Sequence, residues 1–171
     1  METTSSGSAR EVEILRQNAG ATHRIVKLNL EGITQEDSLI QPRPAGNCLN
    51  WVVGHLLNTY NQILPLLGQQ PVMEKGALSR YARGAGPLQN SEGALALSAL
   101  MAAWDLAASR VDAGLASLTP SVLDAPAPMS PRNDPNETVR SLLALVTFHQ
   151  AYHAGQTGIL RRMAGKEGAL A

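Results

Sequence analysis

His149 and His153 stand four residues apart in the run His149-Gln150-Ala151-Tyr152-His153, a spacing that stacks two side chains on one face of a helix. Zinc, nickel and iron accept imidazole nitrogen at about 2.0–2.2 Å, so two rings one turn apart can chelate a single divalent ion. The pair is equally compatible with two ordinary polar or core histidines. His55 adds weight to the first reading. It sits in Trp51-Val52-Val53-Gly54-His55-Leu56-Leu57, where an imidazole buried without a partner costs about 1–3 kcal/mol. Either it is a core histidine bonded to a backbone carbonyl or to Asn58, or it is a metal ligand, and only a ligand accounts for all three histidines at once. The spacing also resembles the zinc-protease motif, but Gln150 holds the place of the glutamate that serves there as general base, which excludes that chemistry. The fourth histidine, His23, reads as a polar boundary residue. Cys48, the one cysteine, reads as a small buried hydrophobe in preference to a nucleophile.

Four helical segments must carry these residues. Val12, Leu15, Ala19, Val26 and Leu30 recur with helical spacing and predict a first helix from about Ala9 to Leu30, with Gly32 as its stop. Pro42 and Pro44 exclude a helix interior in the stretch from Thr34 to Pro44. A second helix is expected from an Asn47 N-cap through Leu49, Val52, Val53, Leu56, Leu57 and Ile63, ended by Pro65 and Gly68. A long irregular connection, Gln69 to Asn90, follows; at that length it is expected to be functional or a crossover. A third helix begins after Ser91 and runs to about Leu118. The fourth is expected to start at an Asp134 N-cap, with Pro135 in its first turn and Glu137 completing a capping box. It continues through Leu142, Leu143, Leu145, Val146, Phe148, Tyr152, Ile159 and Leu160 to Gly165, with Arg161 and Arg162 favouring its C-terminal dipole. No segment alternates as a strand would. The expected fold is all-α, a four-helix bundle with a long crossover loop between its second and third helices, formed by residues 1–171 as a single domain.

Composition agrees. The chain has 171 residues, 44% hydrophobic and 16% charged, with two Trp, three Tyr and one Phe, a globular profile weighted towards helix formers. Fourteen basic and fourteen acidic side chains balance, and no basic run suggests nucleic acid as a partner. No apolar stretch is long enough to span a bilayer, and the first ten residues lack the apolar core of a signal peptide. A single cysteine fits a reducing compartment, so a cytoplasmic location is expected.

The combination of Trp51-Val52-Val53-Gly54-His55-Leu56 with His149-Gln150-Ala151-Tyr152-His153-Ala154-Gly155-Gln156 resembles the DinB/YfiT-like superfamily of metal-dependent proteins. The likeness reaches nearly the whole chain, from Leu30-Glu31-Gly32-Ile33-Thr34 to Leu160-Arg161-Arg162. It implies a four-helix bundle, a tendency to form homodimers, and His55, His149 and His153 as metal ligands. Two positions depart from the family pattern. Gln150 stands where an acidic residue is often seen, and Ala154 where a basic one is; neither removes a ligand, though both bear on substrate contacts.

Three imidazoles leave one or more coordination positions for water or substrate, the pattern of a catalytic site. Such an ion lowers the pKa of a water or thiol. The resemblance implies, for some members, transfer of low-molecular-weight thiols. The expectation is a zinc-, nickel- or iron-dependent enzyme acting on a small molecule, as a thiol S-transferase or hydrolase. Asn58 and Gln156, each three positions after a ligand, are expected to brace the site or touch substrate, and Trp51 and Tyr152 to wall it. The alternative is a non-catalytic metal-binding or stress-response bundle working through a partner or as a dimer, favoured by the lack of a carboxylate beside the histidines.

Overall fold

A computed structural model describes residues 2–88 and 91–169. Gln89 and Asn90, the far end of the expected long connection, lie outside the described residues. The described residues are helical apart from turns and one isolated bridge between Pro126 and Thr138. None of their helices is long and apolar enough to cross a membrane.

Four long helices dominate: α1 (Glu2–Leu30), α3 (Leu49–Ile63), α4 (Leu97–Ala116) and α6 (Val139–Met163), with two single-turn helices, α2 (Gln35–Ser38) and α5 (Pro120–Leu123), between them. Helix α1 packs on α4 and α6, and α3 packs on the same two helices. Between them lies an apolar core that includes Val26, Leu56, Leu57, Leu100, Trp104 and Leu142, with Trp104 stacked on Tyr60 at a ring separation of 5.2 Å. Polar contacts register the helices. Asn29 on α1 donates to the Thr157 hydroxyl on α6 at 2.8 Å, and His23 and Lys27 on α1 both reach the Asp105 carboxylate on α4. His23 is thus the boundary residue its sequence context suggests. Cys48 is fully buried at the N-cap of α3.

Helix ends differ from the sequence expectation where side chains outside the apolar repeat decide them. Helix α1 begins at Glu2, well before Ala9, because its polar first turns carry no apolar repeat to detect. Helix α3 is capped by Cys48, one residue after Asn47. Helix α6 starts at Val139, with Thr138 as N-cap in a reciprocal capping box with Ser141. Asp134 and Pro135 lie outside it, and Glu137 has another task. Its side chain is almost fully buried and accepts hydrogen bonds from Ser130, Ser141 and Arg132. The Ser141 hydroxyl first, then Ser130 and Arg132, hold this carboxyl below its ordinary range. Arg161 also does more than complement its own helix, since its guanidinium donates to the carbonyls of Asn29 and Glu31 at the end of α1.

The connection after α3 is not irregular throughout. A 3-10 helix spans Lys75–Tyr81 and lies against α3, burying Leu78 and Tyr81 completely. The Tyr81 ring covers Gly54 so closely that a Cβ there would stand 2.1 Å from its Cδ1. The Tyr81 hydroxyl donates to Asn50 Oδ1 at 2.9 Å and accepts the Leu95 amide at 2.7 Å, while Asn50 Nδ2 donates to the Leu95 carbonyl at 2.9 Å. These bonds hold residue 95 outside a helix, which is why α4 starts at Leu97 and not just after Ser91.

On α6 the buried residues are Val139, Leu142, Leu143, Val146, Gln150, Ala154, Thr157 and Leu160. Phe148, Tyr152 and Ile159, expected on the apolar face, are instead exposed by 69%, 59% and 60%. The inward arc is set by Val and Leu in the first half and by Gln150, Ala154 and Thr157 beyond it, packed against α1 and α3, leaving the larger rings outside.

Because the Tyr81 ring has no free space around it, Gly54→Ala is an overpacking substitution, with an expected loss of about 1–3 kcal/mol in unfolding free energy. Urea denaturation followed by circular dichroism measures this; an unchanged midpoint would mean the ring has room to withdraw.

Candidate metal centre

Helix α3 delivers His55 one residue after Gly54, within the buried run Trp51 to Leu57. Its ring is buried, with Nδ1 2.7 Å from the Tyr81 carbonyl oxygen. A carbonyl only accepts, so Nδ1 carries the proton and Nε2 presents its lone pair. Both readings of His55 therefore hold in part: one ring nitrogen is satisfied by backbone, and the other is left free for a ligand's role. Trp51, one turn earlier, stacks on the imidazole with ring centres 4.7 Å apart and fixes itself by donating Nε1 to the Arg80 carbonyl at 3.0 Å.

Helix α6 supplies the other two. His149 and His153 lie one turn apart with ring centres separated by 4.5 Å. His153 Nδ1 donates to Gln156 Oε1 at 2.7 Å, which leaves its Nε2 as the free nitrogen. His149 Nε2 is 3.0 Å from His55 Nε2. One ligand nitrogen from each of the three histidines lies within 4.8 Å of the other two. Two nitrogens sharing an ion in tetrahedral geometry stand roughly 3.4 Å apart, so the closest pair is near that spacing.

The donor set fits a divalent cation. His55 directs a lone pair at His149 Nε2, and such a contact needs a proton or a cation between the nitrogens. A proton on His149 Nε2 would satisfy His55 but leave His153 Nε2 unused, whereas a cation engages all three. Backbone and amide partners hold the outer nitrogens of His55 and His153, the support that orients metal-binding imidazoles. His149 Nδ1 is buried without a hydrogen-bond partner.

Protons are disfavoured at the same place. Burial, then the neighbouring charges of His153 and His55, push His149 down to about 4. Burial also lowers His55, against the opposing bond to Tyr81, and lowers His153, against the bond to Gln156.

Of the remaining expected residues, Gln156 braces a histidine, Trp51 walls one, and Tyr152 stands edge-on to His153 with ring centres 5.1 Å apart, on the exposed side. Asn58 is half-buried and makes no bond to His55; it lines an adjoining open groove with Gln62, Ser79, Ala82 and Met129. Gln150 faces the core, where Nε2 donates to the Leu56 carbonyl at 3.1 Å. Sequence reasoning missed Tyr81. Its one available signal was an aromatic residue with an apolar neighbour, Leu78, in a connection otherwise rich in glycine and proline.

The model of the DinB superfamily matches residues 17–157, a span that includes all three histidines, the whole of α3 and most of α6. The chain belongs to the DinB superfamily. Among solved structures, a conserved protein from Enterococcus faecalis superposes with a TM-score of 0.69 at 15% identity, covering 90% of this chain and 97% of that one. At that identity the likeness speaks for the fold of this DinB-superfamily chain alone. No curated protein matches it.

Two outcomes follow for the centre. Purified chain titrated with zinc or nickel should bind one equivalent, and His149→Ala well under one, as read by isothermal titration calorimetry. In metal-free protein, the unfolded chain takes up protons at an ordinary imidazole value of 6.5 that folded His149 refuses until about 4. Stability is therefore full above that ordinary value and falls as pH drops through the window. Urea midpoints should be lower at pH 5 than at pH 7, and the difference should shrink in His149→Leu; an equal difference in both proteins would contradict this account.

Proposed function

We propose that this chain is a divalent-metal-dependent enzyme acting on a small molecule, either transferring a low-molecular-weight thiol to an electrophile or hydrolysing a small substrate. The observation that carries the reading is the convergence of three imidazole nitrogens with, among the described residues, no fourth histidine, cysteine or carboxylate in the cluster. A closed structural site would complete its four positions from protein, whereas a catalytic one keeps a position open. Membership of the DinB superfamily supports a site of this kind. Imidazole ligands suit zinc, nickel and iron alike. When bound, the ion would supply Lewis acidity that brings a thiol or water towards its anionic form near neutral pH.

The chain's own residues hold and shape the site. Tyr81 and Gln156 fix the rings of His55 and His153, Trp51 closes one side, and Tyr152 flanks the open side. Asn58 faces the adjoining groove, where it would contact the body of a substrate. In the transfer reaction the thiol sulfur bonds to an electrophilic carbon, the leaving group departs with its electron pair, and the thiol proton passes to water. The four long helices read as a four-helix bundle, with the connection between α3 and α4 crossing over the site as a wall. The exposed Ile14, Phe148 and Ile159 on α1 and α6 support a working unit that is a homodimer.

Protein reconstituted with zinc, nickel or iron, mixed with a panel of small thiols and an activated haloarene, should release halide. Chelator-stripped protein and His153→Ala should fall to the uncatalysed rate. Full turnover without metal would sink the mechanism. No turnover across the panel, with one equivalent of metal bound, would favour a non-catalytic metal-binding or stress-response bundle.

A further inference from the structure

A small cavity lies in the interior, walled by all four long helices. Helix α1 gives Leu15 and Thr22, α3 gives Tyr60, α4 gives Val111, and α6 gives Thr147 and Gln150. Counted as room for the centre of a water-sized sphere, the space is about 20 Å³. By that measure one water needs about 10–15 Å³, together with two to four polar partners. The cavity therefore has room for a single water and for no larger ligand.

Its lining decides between a dry void and a hydrated one. Cavities that stay dry are walled by apolar groups, whereas Thr22, Tyr60, Thr147 and Gln150 all face this one. Gln150 makes the strongest demand. Its Nε2 donates to the Leu56 carbonyl at 3.1 Å, which fixes the amide and turns Oε1 away from that carbonyl. Oε1 is buried with no hydrogen-bond partner among the described residues, on a side chain that is 1% exposed. Protein interiors meet such a need with a donor from the chain or from ordered water.

The other polar groups complete a set of partners. The Thr147 hydroxyl spends its proton on the Leu143 carbonyl at 2.8 Å, so towards the cavity it only accepts. Tyr60 is buried, its hydroxyl neighbours the Gln150 side chain, and a phenol can donate. Two acceptors and one donor match the two protons and a lone pair of one water.

We propose that this cavity is a binding site for one water molecule, which donates to Gln150 Oε1 and to the Thr147 hydroxyl oxygen and accepts from the Tyr60 hydroxyl. The water ties α3 to α6 inside the core and gives the Gln150 amide its second anchor, one residue from His149. It belongs to the fold and holds whether or not an ion binds at the three histidines.

Isotope-labelled full chain tests the site by nuclear magnetic resonance. The methyl groups of Leu15 and Val146 line the cavity and carry no exchanging protons. In wild type they should show cross-peaks to water whose laboratory-frame and rotating-frame Overhauser effects have opposite signs, the signature of a held water. Gln150→Met keeps the shape and removes the acceptor, and should lose these cross-peaks. Should that variant not fold, as judged by circular dichroism, Thr147→Val removes a different partner and should weaken them at least severalfold. Absence of the cross-peaks in wild type overturns the site. Cross-peaks of full strength in a folded Gln150→Met, or in Thr147→Val where that variant stands in for it, overturn the assigned partners.

Discussion

The bond from His55 Nδ1 to the Tyr81 carbonyl is the interaction on which the site depends. An imidazole in an apolar helix face must have a partner, and only an acceptor at Nδ1 leaves Nε2 with its lone pair directed at α6. That acceptor comes from a short 3-10 segment outside the four long helices, so the segment has to be held against α3. Gly54 lets the Tyr81 ring lie directly on the α3 backbone, and the ring's hydroxyl ties Asn50 to Leu95. Backbone geometry, helix start and histidine tautomer are thus fixed by one residue. Loss of that anchor would free the 3-10 segment and with it the orientation of His55.

On α6 the same problem is solved more locally. His153 and Gln156 lie three residues apart, near enough on the helix surface for the amide oxygen to hold Nδ1. His149 has no such brace, and its Nδ1 is orphaned. It is also the imidazole pushed furthest towards neutrality, by burial and by two neighbouring rings. Neutral imidazoles are what a metal requires and what a proton-binding site would lack. Folding therefore spends free energy on keeping three nitrogens unprotonated and close together, a cost that a bound cation would offset.

Much of this was legible in sequence because it depends on short-range spacing. The four-residue interval between His149 and His153, the apolar setting of His55 and the periodic helices each follow from local pattern. What escaped depends on contacts between residues far apart in the chain. The Asp134-Pro135-Glu137 run has the chemistry of a helix start, yet Glu137 is drawn inward to Ser130 and Arg132, and Thr138 takes the cap. Leu95 belongs to a good helix former's run, yet its backbone is held by Tyr81 and Asn50. Phe148 and Ile159 keep an apolar repeat but fall outside the arc that meets α1 and α3, because Ala154 and Thr157 pack closer than a ring could. Tyr81 was hidden because a 3-10 turn of seven residues leaves almost no periodic signal.

Gln150 shows how packing limits the chemistry available at the centre. It directly follows a histidine of the cluster, but a helix turns about 100° per residue, and that rotation carries its side chain into the core, where it is 1% exposed. There it must donate to the Leu56 carbonyl, a contact that registers α6 against α3. A glutamate at this position would set a carboxylate against that carbonyl in place of the amide donor, and burying a charge costs far more than burying an amide. The glutamine thus supplies a donor to α3, and among the described residues the cluster has no carboxylate to take a proton. A reaction of the proposed kind would have to lose its proton to solvent, to the substrate itself or to an imidazole not engaged elsewhere. Under the proposed chemistry, nucleophiles that ionise readily, thiols before water, would suit such a site best.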